Sequence, residues 1–297
     1  MVKIVFSYNK LIVWTRALVA RERVPKHWSR TRNERFDVHT VCVLYVLFQI
    51  ENKDYRLFSS WLAIAPALGL PSVPHWTTLQ KAFKRLPPRL LRKLVRLSGE
   101  CKDRIAAVDP TYYQLSNPSK GYCKRIGRDS RRDTLRKATV VVSTNKKKIL
   151  DVFVRAKERH GMKDIHLIAK SGVFQGRTIL ADKEFDAEKF HHIVEDAGGK
   201  RSIVPLRNEK VPVHRTRGKH RKQLKRTGIP PLYNKRNCCE SNNSAVKRKF
   251  SPVLRGKTFW QQARDLYAKC LAYNLMREIL SLITETFYRA LSSPKYK

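Results

Sequence analysis

Negative charge is what this sequence has least of. Its 297 residues include 24 Asp and Glu against 63 Lys and Arg, a formal net charge of +39. That field repels further copies of the chain and draws in polyanions, so nucleic acid leads the candidate partners. An anionic membrane surface is the alternative, but the cations run through the whole chain rather than along one amphipathic segment. Long apolar runs are missing too. None nears the ~20 residues needed to cross a bilayer. Lys10 and Arg16 interrupt the patchily apolar opening, so no signal-peptide core forms there. The six cysteines (Cys42, Cys101, Cys123, Cys238, Cys239, Cys270) include no C-x-x-C pair and no zinc-ligand spacing. The nine histidines are equally scattered, and His191–His192 reads as a helix-surface accident. Reduced thiols and a cytoplasmic location are the expectation.

An apolar share of 42% is ordinary for a folded chain, and the length suits one large domain with a smaller one. Residues 1–35 are basic and mixed, and Pro25 would break a helix there. FDVHTVCVLYVLFQ (36–49) is apolar throughout and predicts a buried helix. A second helix is expected over 55–65, a turn over 66–72, and a basic helix after Pro74 with Thr77 or Thr78 as its cap. This succession matches a helix-turn-helix, with Gln80, Lys81, Lys84 and Arg85 as candidate groove contacts. A plain helical bundle fits the same pattern.

Beyond Pro87–Pro88 and a basic amphipathic helix over 89–99, the texture changes. Ile105–Val108 reads as a strand that ends on Asp109 and is stopped by Pro110, and 116–136 reads as a basic loop. Strands are expected at 138–144, 149–154, 178–181 (ending on Asp182) and 202–206, with helices at 162–172 and 185–197. Residues 207–228 form a basic insertion, and Phe259–Leu291 a long helix whose apolar stripe runs from Ala263 to Ile283. The order predicts a mixed α/β sheet, and such sheets place their chemistry at the carboxyl ends of strands. Asp109 and Asp182 stand there.

A third acid lies in YNKRNCCESNNSAVK (233–247). On one α-helix Tyr233, Arg236, Glu240 and Lys247 would share a face within roughly 60°. Carboxylates hold hard cations and Lys or Arg hold phosphate oxygens, so this stripe suits a metal ion beside a phosphodiester. The plainer reading is a solvated basic face with one Glu. Three carboxylates together can hold two magnesium ions, the arrangement that clamps both oxygens of an in-line phosphoryl displacement.

These residues resemble the DDE transposases of bacterial and archaeal insertion sequences. Tyr233, Arg236, Glu240 and Lys247 match the Y-x2-R-x3-E-x6-K signature of one branch without a gap, Asp109 in AAVDPT looks like the first family acid, and Asp182 in ILADKEFD looks like the second. The likeness covers most of residues 36–280. It implies a ribonuclease-H-like catalytic fold preceded by a small helix-turn-helix-like domain. It also implies metal ligation by Asp109, Asp182 and Glu240, and transposon-end contacts by Tyr233, Arg236 and Lys247. The activity implied is binding of inverted terminal repeats followed by cleavage and transfer of double-stranded DNA. Two magnesium ions, or manganese in their place, and a homodimer on DNA in the prokaryotic nucleoid go with it. The expected domains are 1–99 (DNA-binding helices), 100–255 (catalytic) and 256–297 (a helix packed on the catalytic domain). Two positions depart from the pattern: Pro110 replaces a small polar residue, and Glu184 replaces the glycine of DKGYD. A decayed copy that only binds DNA, and a nuclease or resolvase on the same fold, are the rival readings.

Overall fold

The computed structural model describes residues 7–28, 36–64, 68–70, 72–116, 124–125, 135–156 and 160–291. They belong to two compact units: Met1–Ser98 with Arg264–Lys297, and Gly99–Ala263. Most of the basic stretch 116–136, and the side chain of Ile283, lie outside the described residues.

The first unit is helical. α1 (Tyr8–Arg21) fills part of the stretch read as mixed and ends before Pro25. α2 (Val38–Glu51) is buried nearly all round, as its unbroken apolar run requires. Asp37 caps it: one carboxylate oxygen accepts from the Thr40 N–H at 2.8 Å and the other from the Thr40 hydroxyl at 2.9 Å. α3 (Tyr55–Ala63) and α4 (Trp76–Arg85) meet α2 through stacked rings, Phe48 on Tyr55 at 4.7 Å and Tyr45 on Phe83 at 4.4 Å. The cap of α4 is His75, whose ring accepts from Thr77 N–H, not Thr77 or Thr78 as expected. The link between α3 and α4 (64–75) is longer than the three- or four-residue turn of a helix-turn-helix. α5 (Pro88–Gly99) follows.

α10 (Phe259–Leu291) has the predicted bounds but not the predicted company. From Arg264 onward it clusters with the N-terminal helices. Gln49 donates to Asp265 at 2.9 Å, Arg264 to the Leu86 carbonyl at 2.5 Å, and Asn274 to the Val95 carbonyl at 3.2 Å. The stripe of Leu266, Cys270, Leu271 and Leu275 is buried there, and a stripe does not name its partner in advance.

The second unit is built on β1 (Ile105–Leu115), which does not stop at Pro110. β2 (Leu135–Ser143) and β3 (Ile149–Val154) add antiparallel strands on one side, while β4 (Thr178–Ala181) and β5 (Arg201–Ile203) run parallel to β1 on the other. β6 (Val253–Leu254) pairs with the far end of β1. Backbone groups of residues 104 and 114 bond on the β4/β6 side, so Pro110, of the same parity, has its missing N–H there too. β4 pairing ends at Val108 and β6 pairing begins at Gln114, so proline interrupts no ladder. Val108 and Ala181 enter a core closed by α6 (Met162–Ala169) and α7 (Glu188–Asp196) through Ile165, Ile168, Phe190 and Val194. The shorter α7 replaces the helix expected from residue 185, because Lys183–Phe185 forms a 3-10 turn. α8 (Lys219–Thr227) lies within the basic segment, and α9 (Asn237–Phe250) lies against β1 and β2.

Candidate active site

Strand alternation decides where the two aspartates point. Val108 and Ala181 pair in parallel register and face the core, so the next residues, Asp109 and Asp182, both turn to the opposite face. Asp109 lies within β1 and Asp182 caps the 3-10 turn that follows β4, near enough for its charge to act on the Asp109 carboxyl.

The third acid arrives differently from the expected single helix. Tyr233 and Arg236 lie on a 3-10 turn (Pro231–Arg236) and Glu240 in the first turn of α9. With three residues per turn, Tyr233 and Arg236 still eclipse one another, so the four-residue stripe survives the change of helix type. The turn lies against β1 and β4. From it the Arg236 guanidinium spans the site, donating to Asp109 at 2.9 Å and to Glu240 at 2.7 Å. Asp109 forms the floor, its side chain 14% exposed, whereas Glu240 is 60% exposed at the rim.

Burial first, and the nearby Asp182 and Glu240 charges, push the Asp109 carboxyl up to about 6 against the opposing pull of Arg236. Burial and the same three acids raise the Tyr233 phenol, with Arg236 again opposing. Burial lowers the Lys247 ammonium against the attraction of Asp109, and its Nζ sits 5.3 Å from the Tyr113 ring centre. The structure thus gathers Asp109, Asp182, Glu240, Tyr233, Arg236 and Lys247 in one place. The three acids are not drawn tightly onto one point, since their oxygens do not all lie within 4.8 Å of one another. Gln80, Lys81, Lys84 and Arg85 belong to α4 in the other unit, where Lys81, Lys84 and Arg85 are exposed and Leu79 and Phe83 face inward.

Glu184 is accounted for by its partners. It accepts from the buried Lys137 ammonium at 2.6 Å and from the Gly161 N–H at 3.2 Å. A Cβ on Gly161 would lie 2.9 Å from the Phe185 ring, so glycine is needed for that approach. Sequence reasoning missed Lys137, because a lysine inside an apolar strand gives no hint of its partner. The segment 207–228 is likewise anchored: Arg221 bonds the buried Asp186 carboxylate at 2.7 and 3.1 Å.

Residues 100–275, more than half of the chain, match the family model for the transposase DDE domain. The chain belongs to the DDE transposase family. It is therefore a transposase, of a family of DNA-cleaving and strand-transferring enzymes that use divalent metals, and its fold is the mixed α/β sheet with N-terminal helices described above. Among solved structures it is similar to a piggyBac transposase, determined by cryo-EM in a synaptic complex with hairpin DNA. The TM-score is 0.45 at 11% identity, over 97% of this transposase and 79% of that chain. No curated protein matches the sequence. Among the described residues no helix is long and apolar enough to cross a membrane.

Proposed function

We propose that this transposase binds the inverted ends of its own element as a homodimer and cleaves and transfers DNA strands. In this reading Asp109, Asp182 and Glu240 hold two divalent cations, magnesium or manganese. The observation that supports it is the collection of three carboxylates, from β1, from the turn that follows β4 and from α9, around Arg236. Burial first, and then the Asp182 and Glu240 charges, push the Asp109 carboxyl up to about 6, so its charged form is costly at this half-buried floor. Three oxygen-donor side chains of this kind fit hard divalent ions rather than soft ones. Such ions, when bound, would supply Lewis-acid stabilisation of the attacking and leaving oxygens.

The chain's own groups do the rest. Arg236 holds Asp109 and Glu240 in place and carries the planar fork that matches a phosphate. Lys247, set over the Tyr113 ring, and Tyr233 contact the backbone of the transposon end. Gln80, Lys81, Lys84 and Arg85 on α4 read its sequence. The high positive charge adds affinity for any duplex, with a log–log salt slope of roughly −0.9 per phosphate neutralised.

The test is magnesium-dependent nicking of a labelled duplex carrying the element's end, run beside a gel shift. Asp109→Asn, Asp182→Asn and Glu240→Gln are each expected to abolish nicking and to retain the shift. An active parent that loses nothing on Glu240→Gln overturns the reading.

A further inference from the structure

We infer a second metal site, for a zinc-like divalent ion, formed by His192, Glu195 and His220 where α8 meets α7. The site uses none of the three acids above and stands independently of their role. His192 and Glu195, three residues apart, share a face of α7, and His220 comes from the first turn of α8. One ligand atom from each lies within 4.8 Å of the others. The His220 Nε2 is 2.5 Å from one Glu195 oxygen, and the His192 Nδ1 is 3.7 Å from the other.

The His220 ring is held for this task. Its second nitrogen, Nδ1, lies 2.9 Å from Glu188 Oε1, so a carboxylate orients the imidazole from behind with Nε2 aimed at Glu195. That arrangement recurs behind metal-bound histidines, where it sets the tautomer and strengthens the ligand. Glu188 is itself fixed by the backbone N–H groups of His220 at 2.9 Å and Arg221 at 3.4 Å. The His191 ring stacks on His220 with centroids 5.1 Å apart and planes 10° apart. Gly218, at φ +96°, lets the chain come this close: a Cβ there would lie 2.0 Å from Glu188 Oε2.

Two imidazoles of borderline hardness, with one hard carboxylate that zinc also accepts, suit zinc over magnesium. Three protein ligands leave a fourth position open. A cavity of about 310 Å³ adjoins, lined by His191, Glu195, Lys200, Arg201, Lys219 and His220. The Nε2 of His191 is buried there without a hydrogen-bond partner. The lysines and arginine oppose a bare cation, while Glu188 and Glu195 offset them and the open position suits water or an anion. Such an ion would clip the basic segment carrying α8 onto α7.

The test uses the full chain carrying Asp109→Asn, Asp182→Asn and Glu240→Gln, stripped with a chelator. Zinc is titrated by calorimetry, and cobalt(II) is followed by its visible absorption. One equivalent should bind, with the strong visible bands of a four-coordinate nitrogen–oxygen site. Glu188→Gln should weaken binding by about 10–100-fold, and His192→Ala, Glu195→Gln and His220→Ala by at least as much. His192 is more than half exposed, so its replacement leaves the fold intact and keeps the test clean. Absence of stoichiometric binding, or binding unchanged in His192→Ala and His220→Ala, overturns the site. His220 is then only a hydrogen-bonded link between two glutamates.

Discussion

Two aspartates, a buried one in the helical unit and a half-buried one in the sheet unit, are held in opposite ways. Asp265 in the helical unit accepts from Gln49 at 2.9 Å and lies 3.5 Å from the ammonium of Lys269, whose side chain is 1% exposed. Its charge is matched where it stands. Asp109 in the sheet unit shares Arg236 with Glu240, has the Asp182 charge beside it and only the more distant pull of Lys247 in addition, so three acids face two cations. A charge that is matched locally contributes to stability; charges gathered against their own repulsion mark a site that something else completes.

The largest effect that tests this contrast is on chemistry. Asp109→Asn should lower strand cleavage by at least roughly 100–1,000-fold, the scale seen when one preorganised electrostatic group is lost. In chelator its unfolding midpoint should stay level or rise, because repulsion is relieved. A large loss of stability would show that Asp109, like Asp265, is a structural acid. The converse change is Asp265→Ala, which removes the carboxylate facing a buried lysine and should cost about 3–5 kcal/mol. Urea unfolding measures it, and nicking at a permissive temperature should be retained. A loss below 1 kcal/mol would erase the distinction between the two aspartates.

The smallest effect concerns Asp37. Burial alone would raise its carboxyl, but the Thr40 N–H and hydroxyl hold it below the ordinary carboxylate range. Asp37→Ala should cost about 1 kcal/mol at neutral pH, a typical helix-cap value. A folded-state pKa lowered in this way stabilises fully above the unfolded value near 4 and less as pH falls through the folded value. Melting curves of parent and variant should therefore converge on acidification. A difference that stays constant with pH would assign the effect to packing instead.

Legibility in the sequence followed the range of each interaction. β3, β4 and α10 have the bounds that local patterning predicts, since an apolar run or stripe between polar residues defines each. Asp182 was legible for the same reason. Pro110 misled, because a proline is compatible with a strand wherever its N–H side has no neighbour, and neighbours are a property of the sheet. Tyr233 and Arg236 share the predicted face although the helix is 3-10 and not α, since offsets of three read alike in both geometries. His192 and His220 give no sign of a shared site in the sequence: ligands 28 residues apart carry no spacing signal.

By itself the sequence determined the charge, the elements with unbroken patterns, and the residue types from which a metal-and-phosphate site is made. Those depend only on covalent composition and on contacts within a few residues. The tertiary structure decided which strands adjoin, and so that Asp109 and Asp182 meet one step past Val108 and Ala181. It also decided that α10 clusters with the N-terminal helices from Arg264 onward. An apolar stripe fixes that a surface is buried, but the choice of burying partner is a competition among distant segments, settled by shape when the whole chain packs.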